Sequence, residues 1–266
     1  MQREYIENLP FSWLYRNSGN KRTKDFINKI RKDYVVQKFP LVIRKNKIWL
    51  NPRNQLRSLK TFSEIFKEKD HTLIKGFLSK KDKIIFDLGA NEGFYTLIAK
   101  MKSPESKIFC FEPNLYAFKL MKRNLKENKL KSVKLINKAV TSRNGFINFE
   151  VVLGRTTIGG TKIYKKYRNK ENLKKIKVKS ITLKKAMKKN RVERVNLLKI
   201  DVEGSEFDIL KNSVKVLDKI DKIVVEYHKA QKTKNKTLNI LSKNNFKILL
   251  VDDKKYYGEI YAVNKG

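Results

Sequence analysis

The run Ile84-Ile85-Phe86, followed by Asp87-Leu88-Gly89-Ala90-Asn91-Glu92-Gly93 and then Tyr95-Thr96-Leu97-Ile98-Ala99, limits the possible fold more than any other feature of this chain. A short apolar run, a glycine turn and a helical apolar pattern make a strand–turn–helix unit. Such a unit aims backbone N–H groups and a helix start at the crevice beyond the strand ends, where open α/β sheets hold nucleotide-like ligands. Six more apolar runs follow, at 108–111, 133–136, 195–200, 223–226, 246–251 and 260–263. Helical patterns at 95–102, 115–128, 206–211 and 234–244 fall among them, which predicts a mostly parallel sheet with helices on both faces. The last two runs are joined only by 252–258, so they are expected to close the sheet edge as an antiparallel hairpin. An extra pair, 146–151 and 177–181, alternates apolar with polar residues and is expected to lie over the mouth of the site.

Residues 1–78 carry no nucleotide motif. They predict an amphipathic helix over 24–32 and a strand pair, Leu41-Val42-Ile43 and Ile48-Trp49-Leu50, around the four-residue polar spacer 44–47. Apolar residues at Phe62, Ile65, Phe66, Leu73, Ile74 and Phe77 predict a helix pair broken near Asp70-His71. The chain therefore divides into an N-terminal extension, 1–78, expected to cap the acceptor site, and a sheet domain, 79–266.

The 266 residues include 63 Lys and Arg against 26 Asp and Glu, a formal charge of +37. Such a charge attracts nucleic acid, acidic lipid or phosphorylated metabolites, although a chain also rich in Asn and Ile has the composition that an AT-rich coding sequence gives. The basic residues crowd most between Lys162 and Lys189, as in Lys165-Lys166-Tyr167-Arg168 and Lys174-Lys175-Ile176-Lys177. No apolar run reaches the roughly 18 residues of a membrane span, and the first residues lack a signal-peptide pattern, so a cytoplasmic protein is expected. The single cysteine, Cys110, sits in an apolar run and reads as a buried hydrophobe.

The turn itself narrows the ligand. A dinucleotide fingerprint needs glycine at the second and fifth positions after the first, where this chain has Asn91 and Phe94. Glycine at 89 and 93 is expected to leave room for a ligand without a pyrophosphate, and Asp87 to accept a hydrogen bond from a cationic amino group. Glu112, at the tip of the second strand in Phe111-Glu112-Pro113-Asn114, is placed to bind both hydroxyls of a ribose. Together these features suit S-adenosylmethionine. The residues expected to hold it are Asp87, Gly89, Ala90, Asn91, Gly93, Glu112, Pro113, Ala139 and Asp201.

With those motifs, the segments Lys199-Ile200-Asp201-Val202-Glu203-Gly204-Ser205-Glu206 and Val225-Glu226-Tyr227-His228 make the chain resemble FkbM-type methyltransferases. The resemblance also takes in 111–125, Asn137-Lys138-Ala139-Val140 with Gly145 and Phe149, and Ile181-Thr182-Leu183. It implies a class I methyltransferase fold, a Rossmann-like sheet of about seven strands. It further implies O-methyl transfer to a sugar, glycan or secondary metabolite. Where that family usually has aspartate after Thr-Leu, this chain has Lys184.

Methyl transfer from a sulfonium needs in-line positioning and a base for the acceptor's proton. Asp201, Glu203 and His228 are the candidate catalytic residues: His228 or Asp201 is expected to take the proton, with the other orienting it. Glu203 and Glu206 have a second reading as helix-capping acids. Asp201, Glu203 and Glu226 could also hold a divalent cation, although no metal residue is assigned and no Cys/His grouping suits zinc. His71 reads as structural or solvated. The charge makes an anionic sugar or glycan the first expected acceptor, and an RNA ribose 2′-hydroxyl the alternative. Oligomeric state is not legible.

Overall fold

The computed structural model describes residues 11–32, 37–68, 74, 76–152, 159–160, 173–228, 232–254 and 256–266. Helices α1 (Phe11–Arg16) and α2 (Lys21–Lys32) lead into strands β1 (Leu41–Ile43) and β2 (Asn46–Ile48), then helix α3 (Gln55–Ser63), which widens into a π-helical turn over Glu64–Glu68. The sheet region follows as β3 (Ile84–Leu88), α4 (Phe94–Lys102), β4 (Lys107–Phe111), α5 (Leu115–Glu127) and β5 (Val133–Ile136). Next come β6 (Ala139–Val140), β7 (Gly145–Val152), β8 (Gly159–Gly160), β9 (Leu173–Ile181), α6 (Leu183–Lys189) and β10 (Val195–Ile200). The chain ends with α7 (Glu206–Asn212), α8 (Val214–Leu217), β11 (Ile220–His228), α9 (Lys234–Lys243), β12 (Phe246–Asp253) and β13 (Tyr257–Asn264).

The central sheet runs β12-β13-β11-β10-β3-β4-β5. Neighbours pair in parallel except at β13, which is antiparallel to both β11 and β12. The seven expected strands and the closing hairpin are all present. The hairpin's second strand slots inside the sheet, leaving β12 at the edge. Chain order reverses between β3 and β10, which puts the crevice for a ligand at their carboxyl ends.

Side chains alternate across the sheet. On one face Ile85, Ile108, Cys110, Leu197, Val224 and Tyr261 share a core with Leu14, Ile27, Leu41, Phe62 and other N-terminal residues. On the other face Phe86, Phe109, Leu198, Ile200 and Val225 pack with Leu183, Leu210 and Leu241. The same alternation puts Asp87, Lys199 and Glu226 on the N-terminal face.

Two asparagines one helical turn apart tie the N-terminal hairpin to the sheet region. Asn124 of α5 accepts from the Trp49 N–H at 2.7 Å and donates to the Trp49 and Glu92 carbonyls, while Asn128 bonds both backbone groups of Lys47. These side chains satisfy an edge-strand backbone that has no strand beside it.

Some local expectations change. The hairpin turn has two residues, not four: Arg44 and Lys45 both take positive φ, as a tight turn between twisted strands requires, so β2 begins at Asn46 instead of Ile48. The helix expected from Phe62 begins at Gln55, where Asn54 caps it by accepting from the Arg57 N–H. Its partner and the break at Asp70-His71 fall largely outside the described residues, and residues 76–78 are turn and bend rather than helix. The extra strand pair is present as β7 and β9 within a second, four-stranded sheet, β6-β9-β7-β8, attached where β5 ends. Helix α6 was not expected; its apolar face is only Leu183, Ala186 and Met187, too short for periodicity to announce.

Candidate active site

The glycine turn joins β3 to α4, and its shape is set by neighbouring backbone. The N–H groups of Gly89 and Ala90 both donate to the Phe111 carbonyl, at 2.9 and 3.0 Å, and the Asp201 N–H donates to the Leu88 carbonyl. A Cβ on Gly89 would lie 1.7 Å from the Asp201 carbonyl oxygen, and one on Gly93 would lie 3.0 Å from Met121 Cγ. Both glycines have positive φ. The expected reason for glycine was room for a ligand. The observed reason is close packing of strand tips and of α5, with a backbone conformation that a side chain resists.

Asp87 is fully buried. Its Oδ2 accepts from Thr96 Oγ1 at 2.9 Å, and its Oδ1 lies 3.3 Å from Lys199 Nζ. The cationic amino group facing this carboxylate is therefore the protein's own. Lys199 also lies 3.3 Å from Asp201 Oδ2 and donates to the Gly89 carbonyl at 3.0 Å. Burial alone would lower the pKa of this amine, but the Asp201 and Asp87 carboxylates hold it above the usual lysine value. One ammonium thus joins β3, the glycine turn and β10. A lysine between Leu198 and Ile200, in a strand covered on both faces, is the sequence signal for this buried ammonium.

The second group gathers at the tips of β10 and β11. His228 Nε2 lies 3.1 Å from Glu203 Oε2 and 3.4 Å from Glu226 Oε1, and Nδ1 lies 3.8 Å from Glu206 Oε1. Burial opposes a charged imidazole, yet Glu203, Glu226 and Glu206 outweigh it and push the pKa up to about 10. The three carboxylates thus favour the imidazolium form, in which the ring donates hydrogen bonds and is better suited to orienting an acceptor than to taking its proton. Glu206, the first residue of α7, accepts from the Val202 and Gly204 N–H groups of the turn that precedes the helix, so it braces that turn instead of capping the helix, and burial raises its pKa. Glu203 and Gly204 both have positive φ and form the tight turn beyond β10.

Glu112 sits at the tip of β4. It accepts from the Asn91 N–H at 2.9 Å and the Asn114 N–H at 2.7 Å, while burial pushes its pKa up to about 7. Asn137 donates to the Glu112 and Pro113 carbonyls. Ala139 packs in the core of the second sheet, with Phe149 and Val178. Asn91 Oδ1 is buried without a hydrogen-bond partner among the described residues, so the glycine turn keeps an acceptor for a ligand's donor. Together with the strand-tip acid, this fits S-adenosylmethionine, whose amino and ribose groups are donors. Burial raises the pKa of the Cys110 thiol, as expected of an inert cysteine.

Among the described residues no group of three or more His, Cys, Asp or Glu is arranged to hold a metal ion. No described helix is long and apolar enough to cross a membrane. His71 and the run 165–168 lie outside the described residues.

A switch point between β3 and β10, a glycine turn, an acid at the tip of β4 and an antiparallel β13 define an S-adenosylmethionine-dependent methyltransferase of the α/β class. Residues 87–248 match the family described as Methyltransferase FkbM domain, and the chain belongs to that family. It is 27% identical over 198 residues to Methyltransferase 1 of Beauveria bassiana, covering 67% of this chain and 77% of that protein. It is 27% identical over 169 residues to the 2-O-methyltransferase NoeI of Sinorhizobium fredii, covering 60% and 69%. It is 25% identical over 150 residues to the hexuronic acid methyltransferase AglP of Haloferax volcanii, covering 56% and 58%.

Proposed function

We propose that this enzyme methylates a hydroxyl of a sugar or glycan, with Asp201 taking the hydroxyl's proton. Two relatives named for 2-O-methyl transfer and for a hexuronic acid support the acceptor class. The observation that carries the reading is Asp201 itself. Its carboxylate lies at the carboxyl end of β10, is 29% exposed, and is held through Oδ2 by Lys199. A partly exposed carboxylate fixed in this way can accept a hydroxyl proton, an effect of about 10²–10⁴-fold in rate.

S-adenosylmethionine supplies the methyl group on a good leaving group, so the residues need only align the acceptor and remove its proton. Lys199 fixes Asp201 in place. Glu203 and Glu226, both partly exposed beside His228, are hydrogen-bond acceptors suited to neighbouring hydroxyls. Their charge disfavours an anionic group at the reacting centre itself, so any acidic part of the acceptor binds away from these strand tips. In this reading the N-terminal extension, 1–78, shapes that outer pocket and 79–266 holds the donor.

A labelled-methyl screen over neutral sugars, uronic acids, sugar phosphates and RNA tests this reading. Transfer to a saccharide hydroxyl, lost in Asp201→Asn with donor binding retained, is the expected result. Transfer confined to RNA, or full turnover by Asp201→Asn, overturns it.

A further inference from the structure

An open cleft on the second sheet is lined by Lys138, Phe146, Lys179, Ser180, Lys185 and Lys189, and no acid lines it among the described residues. Four chain segments build it. Lys138 precedes β6, Lys179 lies on β9 opposite Phe146 of β7, and Lys185 and Lys189 stand four residues apart on α6, on one helical face. None of the four lysines has an ion-pair partner among the described residues. Burial, and then the charges of Lys189, Lys179 and Lys185, push the Lys138 amine below the ordinary lysine value. Four ammonium groups converging without a carboxylate repel one another, a cost that a bound anion relieves.

We propose that this cleft binds the phosphate group of a phosphorylated ligand, with the four lysines pairing its oxygens. Lysines recognise phosphate as point charges. Phe146, 61% exposed, gives the cleft an apolar wall for the organic part of the ligand. The cleft adjoins the donor side of the sheet, because Asn137, the residue before Lys138, holds the Glu112 and Pro113 carbonyls. It is a local site, distinct from the diffuse attraction that a charge of +37 exerts on any polyanion. The assignment does not depend on which hydroxyl Asp201 serves.

Calorimetric titration of the full chain with inorganic pyrophosphate, at about 150 mM salt to screen diffuse attraction, tests the site. Lys185→Ala/Lys189→Ala is compared with Lys211→Ala/Lys215→Ala, an exposed pair outside the cleft, and S-adenosylmethionine binding reports that each variant is folded. The cleft pair should weaken pyrophosphate binding about tenfold or more, and the other pair less than twofold. Equal weakening by both pairs, or no pyrophosphate binding by the wild type, overturns the proposal. So does binding confined to single-stranded RNA and reduced alike by both pairs, which would mark general attraction to nucleic acid.

Discussion

Glu203 Oε2 lies 3.1 Å from His228 Nε2, joining the turn after β10 to the end of β11. With Glu226 and Glu206 also facing the ring, the imidazole pKa rises from an ordinary 6.5 to about 10. A pKa raised by folding contributes stability that is fully present below pH 6.5 and is lost as pH rises through about 10. The melting temperature of the wild type should therefore fall relative to His228→Gln between pH 6.5 and 10. Parallel melting curves for the two proteins across that window would count against a charged His228. With its pKa raised in this way, the pH–rate profile should show no loss of activity attributable to His228 protonation near pH 6.5.

Lys199 compensates two carboxylates at once, and both it and Asp87 are buried. Lys199→Met leaves those charges unpaired and should destabilise the fold by about 3–5 kcal/mol. Asp87→Asn in the same chain should return part of that loss, because the two residues share one network. Urea denaturation of both single variants and the double variant measures the coupling; strict additivity would show that the pair does not interact.

The two glycines with the clearest contrast are Gly89 and Gly145. Both have positive φ, but a Cβ meets the Asp201 carbonyl at Gly89 and nothing within 4 Å at Gly145. Gly145→Ala should cost about 1 kcal/mol, the strain of its backbone conformation alone. Gly89→Ala should cost about 4 kcal/mol or more, because backbone cannot move aside as a side-chain end can. Denaturation midpoints compare them directly, and similar midpoints would contradict the close contact.

Burial raises the pKa of Glu112 to about 7, so a large share of this carboxyl is protonated just below neutral pH. Accepting from two ribose hydroxyls favours the ionised form. Affinity for S-adenosylmethionine should therefore fall as pH drops from 8 to 6. Glu112→Gln should bind about 10- to 100-fold more weakly with a flat profile over the same range. Calorimetry at several pH values decides this, and an equally pH-dependent variant would assign the titration elsewhere.

The central sheet was legible because a strand covered on both faces must be apolar nearly throughout, and a helix between two such strands must show its own period. That is why the runs ending at Phe86, Phe111 and Ile200 and the helix over 115–128 could be placed from composition and spacing. Helix α6 and the Arg44-Lys45 turn were not legible: the first is shorter than two periods, and the second puts residues other than glycine or asparagine at positive φ. Asp201, Glu203 and His228 could be identified as strand-end groups. Their pairing could not, since which side chains meet depends on the neighbouring strand and its register.

By itself the sequence determined the seven strands of the central sheet, the glycine turn and the acids at the strand tips, and with them the methyl donor and the family. All of these are local patterns, readable along the chain. Only the tertiary structure decided that Gly89 is glycine because the Asp201 carbonyl occupies the space beside it, that Lys199 faces Asp87 and Asp201, and that three glutamates around His228 favour its imidazolium form. Those facts depend on residues brought together from distant parts of the chain, and on burial that makes each charge depend on its neighbours.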